Sequence, residues 1–244
     1  EGKTCYAASG YLTTEKPAET AAASGQNAEA GSSASASQSA GEVGLNMDWK
    51  YASMSKINSG KAVLYRSESS ARKNKVVCVN AGHGTKGGSS VKTQCHPDGT
   101  PKVTSGTTSA GATTAVAVSG GMTFADGTPE AKVTLSMARV LKDKLLARGY
   151  DVLMIRESDD VQLDNVARTV LANNLADCHI ALHWDSTKSN KGAFYMSVPN
   201  VASYRAMEPV ASHWQQHNAL GESLVAGLKN AGVKIFSGGI SETA

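Results

Sequence analysis

Several features that mark particular classes of protein are missing from this chain of 244 residues. No apolar stretch approaches the ~18 residues that a membrane-spanning helix needs, so the sequence predicts no transmembrane segment. The formal net charge of +3 lies far below that of most nucleic-acid-binding domains, so we expect no nucleic-acid partner. The cysteines form no C-x-x-C pair, which argues against a zinc ribbon or a thioredoxin-like site: Cys5, Cys78, Cys95 and Cys178.

The N-terminal part of the chain contains little that could form a core. Residues 18–41 include no apolar side chain larger than Ala. Such a composition cannot bury enough area to offset the entropy of ordering, so we expect residues 1–41 to form a flexible low-complexity segment. Residues 42–74 could form a small appendage, which the pattern leaves ambiguous. The chain starts at Glu1 without a recognisable signal peptide, so we expect a processed chain or a fragment.

Strand and helix patterns alternate from about residue 75 onwards. Short apolar runs typical of buried parallel strands lie at residues 76–80 (VVCVN), 151–156 (DVLMIR) and 178–182 (CHIAL). Helical spacing follows Pro129 and recurs over residues 212–230, and a further helix is expected after Asp159 or Asp160. This order predicts one three-layer α/β domain over residues 75–244, with a mainly parallel sheet and helices on both faces.

Two histidines occupy the same position relative to the predicted strands. His83 follows the first strand and His183 follows the third. Ligand sites of open α/β sheets lie beyond the carboxyl ends of the strands, so the two imidazoles could converge on one ion. Glu130 would start a helix at the same edge, although an acid also suits a first helical turn for electrostatic reasons alone. A His, Glu, His set with an open fourth position is a hydrolytic zinc site in outline.

Other residue patterns offer competing interpretations. Residues 82–87 (GHGTKG) match the G-x-G-x-x-G pattern of dinucleotide sites, but a long polar loop follows where such a site needs a helix. His213 and His217 have the helical spacing of a metal pair without an H-E-x-x-H pattern, which favours a solvated or packed face. Cys95 and His96 are neighbours in the loop and form at most an accidental metal pair.

Five motifs resemble, in the same order, those of the zinc-dependent N-acetylmuramoyl-L-alanine amidases of the amidase-3 family. Residues 80–84 (NAGHG) look like the D-P-G-H-G that ends the family's first strand, and Glu130 heads a helix with the pattern E-x-x-V-x-L. The motifs similar to T-R-x-x-D, R-x-x-x-A-N and A-D-x-x-I-S-x-H lie at residues 155–159 (IRESD), 168–173 (RTVLAN) and 176–183 (ADCHIALH).

The resemblance implies a bacterial cell-wall hydrolase, or autolysin, that cleaves the amide between N-acetylmuramic acid and the L-alanine of the stem peptide. It implies Zn²⁺ as the cofactor, with His83, Glu130 and His183 as its ligands. It also implies a single domain with a mixed, mostly parallel sheet. Peptidoglycan would be the partner, the enzyme would act outside the cell or at the wall, and we expect a monomer.

The chain departs from the family pattern in several places. Asn80 stands where Asp is usual and Asp185 where Asn is usual, and the loop of residues 85–128 is longer than a minimal member needs. That loop could cover the metal or contact glycan, and a neutral insertion is an equal alternative. The family's acid/base Glu belongs to a late strand that we expect beyond Ala244, and Glu242 follows no predicted strand. We therefore expect a truncated domain that binds zinc but hydrolyses slowly.

Two other functions remain open at this point. One is a zinc peptidase that acts on a different wall amide. The other is a non-catalytic wall-binding or regulatory domain that keeps the metal and lacks the base. The products released from purified peptidoglycan would separate the three possibilities: free stem peptides, other fragments, or none.

Overall fold

A computed structural model describes residues 5–7, 40–102, 105–106, 108–187 and 189–241. The helices in these residues are α1 (Glu130–Ala147), α2 (Asn165–Leu175), α3 (Ala202–Arg205) and α4 (Val210–Asn230). The strands are β1 (Cys5–Ala7), β2 (Ala40–Gly44), β3 (Lys61–Tyr65), β4 (Val76–Ala81), β5 (Lys92–Gln94), β6 (Thr114–Val116), β7 (Asp151–Met154), β8 (Cys178–Trp184), β9 (Ala193–Met196) and β10 (Ile235–Ser241).

Eight of the strands form one mixed sheet in the order β10-β9-β1-β8-β4-β7-β3-β2. At its centre β4 runs parallel to both β8 and β7, and β9 runs parallel to both β10 and β1. β1 is antiparallel to β8, and β3 is antiparallel to both β7 and β2. Four of the seven pairings are therefore parallel, which confirms the expected mixed, mostly parallel sheet.

The central strands are buried because their apolar side chains point to both faces of the sheet. Val77 and Val79 of β4 contact the layer that contains α1 and Leu220 of α4. Cys78, between them, points the other way into the layer that contains α2, as the alternation of a strand requires. The predicted three-layer α/β domain is thus confirmed. Among the described residues, no helix is both long enough and apolar enough to span a membrane.

The edge segment (residues 42–74), which the sequence left ambiguous, extends the sheet. Its strand β3 pairs antiparallel with β7, and β2 pairs with β3 at the sheet's edge. Residues 1–41 lie largely outside the described part of the chain. Of them, Cys5–Ala7 form β1, which pairs with β8 and β9. Ala40 and Gly41 begin β2 at the edge of the sheet. The expected flexibility of residues 1–4 and 8–39, which lie outside the described part of the chain, stays a prediction.

The N-cap of α2 is Asp164, and the expectation of Asp159 or Asp160 is wrong. The buried carboxylate of Asp164 accepts a hydrogen bond from the amide of Ala167 at 2.8 Å, as an N-cap does. It also accepts one from the hydroxyl of Ser55 at 2.9 Å, and therefore joins the start of α2 to the edge segment. This second contact is tertiary, and the local sequence gives no sign of it.

The long loop of residues 85–128 contains a small sheet of its own. β5 and β6 pair antiparallel, with Thr93 opposite Ala115. The amide of Ala117 donates to the carbonyl of Val91 at 2.8 Å, which continues the contact between the two arms of the loop. Further along the loop, the carbonyl of Met122 accepts a hydrogen bond from the amide of Glu130 at 2.9 Å, which joins the loop to the start of α1.

The C-terminal strand corrects the sequence expectation. β10 pairs in parallel with β9 at the edge of the sheet, and Glu242 follows it directly in the chain. The expectation that Glu242 follows no strand is therefore wrong, although Glu242 itself lies outside the described residues. Gly238 and Gly239, both with positive φ, interrupt the strand, and its register shifts between Ile235 and Ile240. This bulge hides the alternating pattern by which a strand is recognised.

The first residue of β7, Asp151, binds the chain that precedes the central strands. It is only 1% exposed, and it pairs with Arg72 at 2.5 Å and Arg66 at 3.0 Å. The hydrogen bond from Arg72 is the largest influence and holds the pKa of Asp151 below its usual value, against the opposing effect of burial. Asp151 is therefore a carboxylate whose charge stabilises the fold.

We expect Asp151→Asn to lower the free energy of unfolding at neutral pH by about 1–3 kcal/mol, because two guanidinium groups lose a charged acceptor. The folded pKa is depressed, so this contribution is complete above the unfolded pKa of about 4 and is lost as the pH falls through the folded pKa. Urea unfolding should show a difference in the free energy of unfolding between the wild type and Asp151→Asn that becomes smaller as the pH is lowered below about 4. Asp143→Asn, at an exposed carboxylate of α1, should change stability by less than about 0.5 kcal/mol. A difference in the free energy of unfolding that does not change with pH would contradict the stabilising role of the Asp151 charge.

Candidate metal centre

Two neighbouring parallel strands bring the two predicted histidines to one edge of the sheet. β4 ends at Ala81, and His83 lies two residues further on. His183 belongs to β8 itself, as its next-to-last residue, rather than following the strand. Glu130 is the first residue of α1. The structure therefore brings together all three residues that the sequence singled out.

The ligand atoms of these side chains converge on one point. Nε2 of His83 lies 2.9 Å from Oε1 of Glu130, and Nδ1 of His183 lies 3.0 Å from the first atom and 3.2 Å from the second. Tetrahedral ligands at about 2.0–2.1 Å from a zinc ion are separated by roughly 3.3 Å. The three residues, called the metal group below, can thus hold a metal ion.

The long loop determines which nitrogen of His83 faces the metal group. Nδ1 of His83 lies 2.7 Å from the carbonyl oxygen of Ser119. A carbonyl can only accept, so Nδ1 carries the proton and Nε2 presents its lone pair to Glu130 and His183. Metal-binding histidines commonly donate their second nitrogen in this way. The loop is therefore part of the site.

The carboxylate of Glu130 is fixed by backbone amides. Oε1 accepts from the amide of Trp184 at 2.7 Å, and Oε2 accepts from the amide of Met122 at 2.9 Å. Burial alone would raise the pKa of Glu130, but hydrogen bonds with His183, His83 and Met122 outweigh it and lower the pKa. Glu130, which is 2% exposed, is therefore an ionised and immobile metal-ligand candidate.

His183 forms the open side of the metal group. Its side chain is 36% exposed, against 9% for His83 and 3% for Glu130. The surrounding protein nevertheless lowers the pKa of His183 by desolvation, and this outweighs the opposite influence of Glu130. A neutral imidazole results, which is the form that binds metals. Solvent and substrate can reach the group from this side.

Two glycines leave the space that the metal group needs. A Cβ on Gly82 would overlap the ring of His183. A Cβ on Gly121, whose φ is +81°, would lie 2.8 Å from Cδ2 of His83 and 2.9 Å from Oε2 of Glu130. Gly82 and Gly121 therefore allow the backbone to pass closely on either side of the group.

Two buried arginines hold the turn that carries His83. Arg156 donates to the carbonyls of Ala81 and Gly82, each at 3.0 Å, and Arg168 donates to the carbonyl of His83 at 2.7 Å. Both side chains are at most 1% exposed, and burial lowers the pKa of each guanidinium to about 10. Both remain charged at neutral pH. The sequence placed them in family-like motifs without showing this role.

Asn80 and Asp185, the two residues that differ from the family pattern, each have a polar partner in this structure. Oδ1 of Asn80 accepts a hydrogen bond from Arg168 at 3.1 Å, so a neutral amide stands where the family usually has a carboxylate. Asp185 pairs with Lys191 at 2.8 Å. Asn80 therefore helps to support the strand-end turn, because the same Arg168 donates to the carbonyl of His83.

The competing sequence patterns do not form sites of the kind they suggest. A short 3₁₀ turn (Gly88–Ser90) and then β5 follow the GHGTKG pattern, so the helix that a dinucleotide site requires is not there. His213 and His217 lie on α4, and the ring of His96 packs against Tyr204 with centroids 4.9 Å apart. Among the described residues, the metal group is the only cluster of three or more metal-binding side chains.

Sequence reasoning missed the residues of the long loop that complete the site. Ser119 contributes a carbonyl oxygen, Met122 an amide, and Gly121 an absence of side chain. Backbone groups are common to all residue types, so no side-chain pattern announces the first two. The adjacent Gly120 and Gly121 were the only signal, since a glycine pair often marks a tight turn or a close approach.

We expect Gly121→Ala to reduce the free energy of unfolding by about 1–3 kcal/mol, because Ala is strained at positive φ and its Cβ would meet His83 and Glu130. Gly120→Ala is the matched control, since a Cβ there meets no atom within 4 Å. Its effect should stay below about 0.5 kcal/mol. Denaturant unfolding of the two variants measures both values, and equal losses would show that the loop does not pack against the metal group.

Most of the chain matches one known family. No curated protein and no solved structure gives a significant match. The sequence model of a family described as N-acetylmuramoyl-L-alanine amidase matches residues 77–237, a range that includes His83, Glu130 and His183. Taken with the α/β fold and the metal group at the strand ends, this match identifies the chain as a member of the N-acetylmuramoyl-L-alanine amidase family.

Proposed function

We propose that this protein hydrolyses the amide bond between N-acetylmuramic acid and L-alanine in bacterial peptidoglycan, using Zn²⁺ held by His83, Glu130 and His183. The convergence of these three ligand atoms, within the stretch that matches the family, is the observation that carries the proposal. Family membership supports an amidase that acts on peptidoglycan. The identity of the metal as Zn²⁺ and the choice of scissile bond go beyond family membership and are part of this proposal.

The donor set favours zinc over the hard divalent cations. Two imidazole nitrogens and one carboxylate oxygen are ligands of catalytic zinc sites, which keep a fourth position open. Ca²⁺ and Mg²⁺ prefer sets of oxygen atoms. When bound, zinc brings the pKa of a coordinated water down to roughly 7 and polarises the substrate carbonyl.

The chain's own residues orient the reaction before the substrate arrives. The Ser119 carbonyl keeps the proton of His83 on Nδ1, and two backbone amides fix both oxygens of Glu130. Such preorganisation avoids rearrangement during the reaction. The exposed side of His183 is where the substrate amide approaches.

The substrate defines where the protein acts. Peptidoglycan lies outside the cytoplasmic membrane, so we place the protein outside the cell or at the wall. The proposal requires one copy of the chain, because a single chain supplies all three residues of the metal group. A monomer is therefore the expected working form.

The first test measures zinc content together with product formation. We expect His83→Asn and His183→Ala each to lose bound zinc and the release of stem peptides, because two protein ligands hold zinc far more weakly than three. Asn is chosen at position 83 because the φ of +64° there suits Asn better than Ala. Metal analysis and mass spectrometry of products from purified peptidoglycan give the two readings.

His213→Ala is the matched control, since this exposed histidine of α4 lies outside the metal group. It should keep zinc and activity at the wild-type level. Full zinc content in both ligand variants would overturn the assignment of the metal. Products other than free stem peptides with an L-alanine amino terminus would instead support a peptidase. No release by a zinc-loaded protein would support a non-catalytic wall-binding domain.

A further inference from the structure

A cavity lies beside the long loop, and no residue of the metal group is among the described residues that line it. Its volume is about 260 Å³. One wall is the β5–β6 hairpin, and a second is α2. The edge segment and residues 204–210, which lead into α4, supply the remainder. Four parts of the chain that are distant in sequence therefore meet around one opening.

The lining combines aromatic rings with uncharged polar groups. Tyr51 and Tyr204 are its two aromatic lining residues. Asn165, Thr169 and Asn173 follow one another at four-residue spacing on α2, so their side chains share one face of the helix. All three are exposed. The cavity thus offers both flat apolar surfaces and a row of hydrogen-bonding groups.

The charge of the lining favours neutral ligands over anionic ones. Glu208 is the only charged side chain among the described lining residues, so no lysine or arginine there awaits a phosphate or carboxylate. Lys50 lies at the margin, where its Nζ sits 4.8 Å from the centroid of the Tyr51 ring and 3.4 Å from the carbonyl oxygen of Glu208. A neutral ligand with apolar faces and polar edges matches this environment. An N-acetylated sugar ring has that character.

The cavity is close to the metal group along the chain. Val116 lines the cavity, and Ser119, three residues later, contacts His83. Even a fully extended chain spans at most about 3.6 Å per residue, so Val116 and Ser119 are separated by no more than roughly 11 Å. A polymeric substrate could therefore occupy the cavity and the metal group together.

We propose that this cavity binds one N-acetylhexosamine unit of the peptidoglycan glycan strand, while the stem-peptide amide of the same strand lies at the metal group. The substrate class rests on the proposed function. The binding chemistry rests on the cavity alone: the tyrosine rings cover the apolar faces of the sugar, and the asparagine amides bond its hydroxyl and acetamido groups. The long loop then serves in substrate binding as well as in holding His83.

The trimer of N-acetylglucosamine is the probe, because it is neutral and contains no muramoyl–alanine bond. Calorimetric titration of the full chain should show binding. Asn173→Leu and Tyr204→Leu should each raise the Kd by about 3- to 10-fold, the effect of losing one hydrogen bond or one ring contact. Asn174→Leu is the matched control on α2, since Asn174 is exposed, does not line the cavity and should bind like the wild type. A glycerol phosphate oligomer should not compete.

Three results would overturn the proposal: no binding of the trimer by the wild type, equal binding by the wild type and both cavity variants, or competition by the anionic oligomer. Melting curves identify any variant that fails to fold. If one of the two variants does not fold, the Kd of the other tests the proposal. Stem-peptide release from peptidoglycan, measured on the same preparations, separates this proposal from the proposed function. Cavity-dependent sugar binding without peptide release would preserve the sugar site and reject the amidase. Normal release of stem peptides, together with sugar binding that neither cavity variant weakens, would preserve the amidase and reject the sugar site.

Discussion

The position of the metal group depends on the two guanidinium groups buried beneath the turn after β4. Desolvating a cation is costly, and hydrogen bonds to a charged group, worth roughly 1.5–3 kcal/mol each, offset that cost. Arg156 binds carbonyls of that turn and also reaches the carbonyl of Ala131 and the hydroxyl of Thr134 in α1. One side chain therefore fixes the turn that carries His83 and the helix that begins with Glu130.

The long loop of residues 85–128 contacts the metal group and also lines the cavity beside it. Near its end Ser119 and Met122 contact the metal group, and the β5–β6 hairpin forms one wall of the cavity. The amide of Asn165 donates to the carbonyl of Ala117, so the loop is also joined to α2. The proposed metal site and the proposed sugar site therefore share one structural support.

The sequence predicted what distinctive side chains and apolar runs can reveal. The central strands and the meeting of His83, Glu130 and His183 belong to this class, since each carries a strong chemical or periodic signal. The cap of α2 does not, because three nearby aspartates have equal propensity and only a tertiary contact selects Asp164. β10 was missed because its glycines break the alternation. The role of Ser119 left no trace, since its carbonyl is common to every residue.

The use of a main-chain carbonyl at Ser119 affects which mutations the metal group can tolerate. The group that fixes the tautomer of His83 is a peptide carbonyl, so the side chain at position 119 is not what orients the imidazole. A substitution there would keep the carbonyl but would remove the hydrogen bond that the Ser119 hydroxyl accepts from the amide of Gly121 at 3.2 Å. A rotation of the peptide plane would instead abolish the contact with Nδ1 of His83 while every coordinating side chain stayed in place. Comparing residue identities across relatives would not detect the contribution of this carbonyl. The constraint would be visible only in the shape of the main chain.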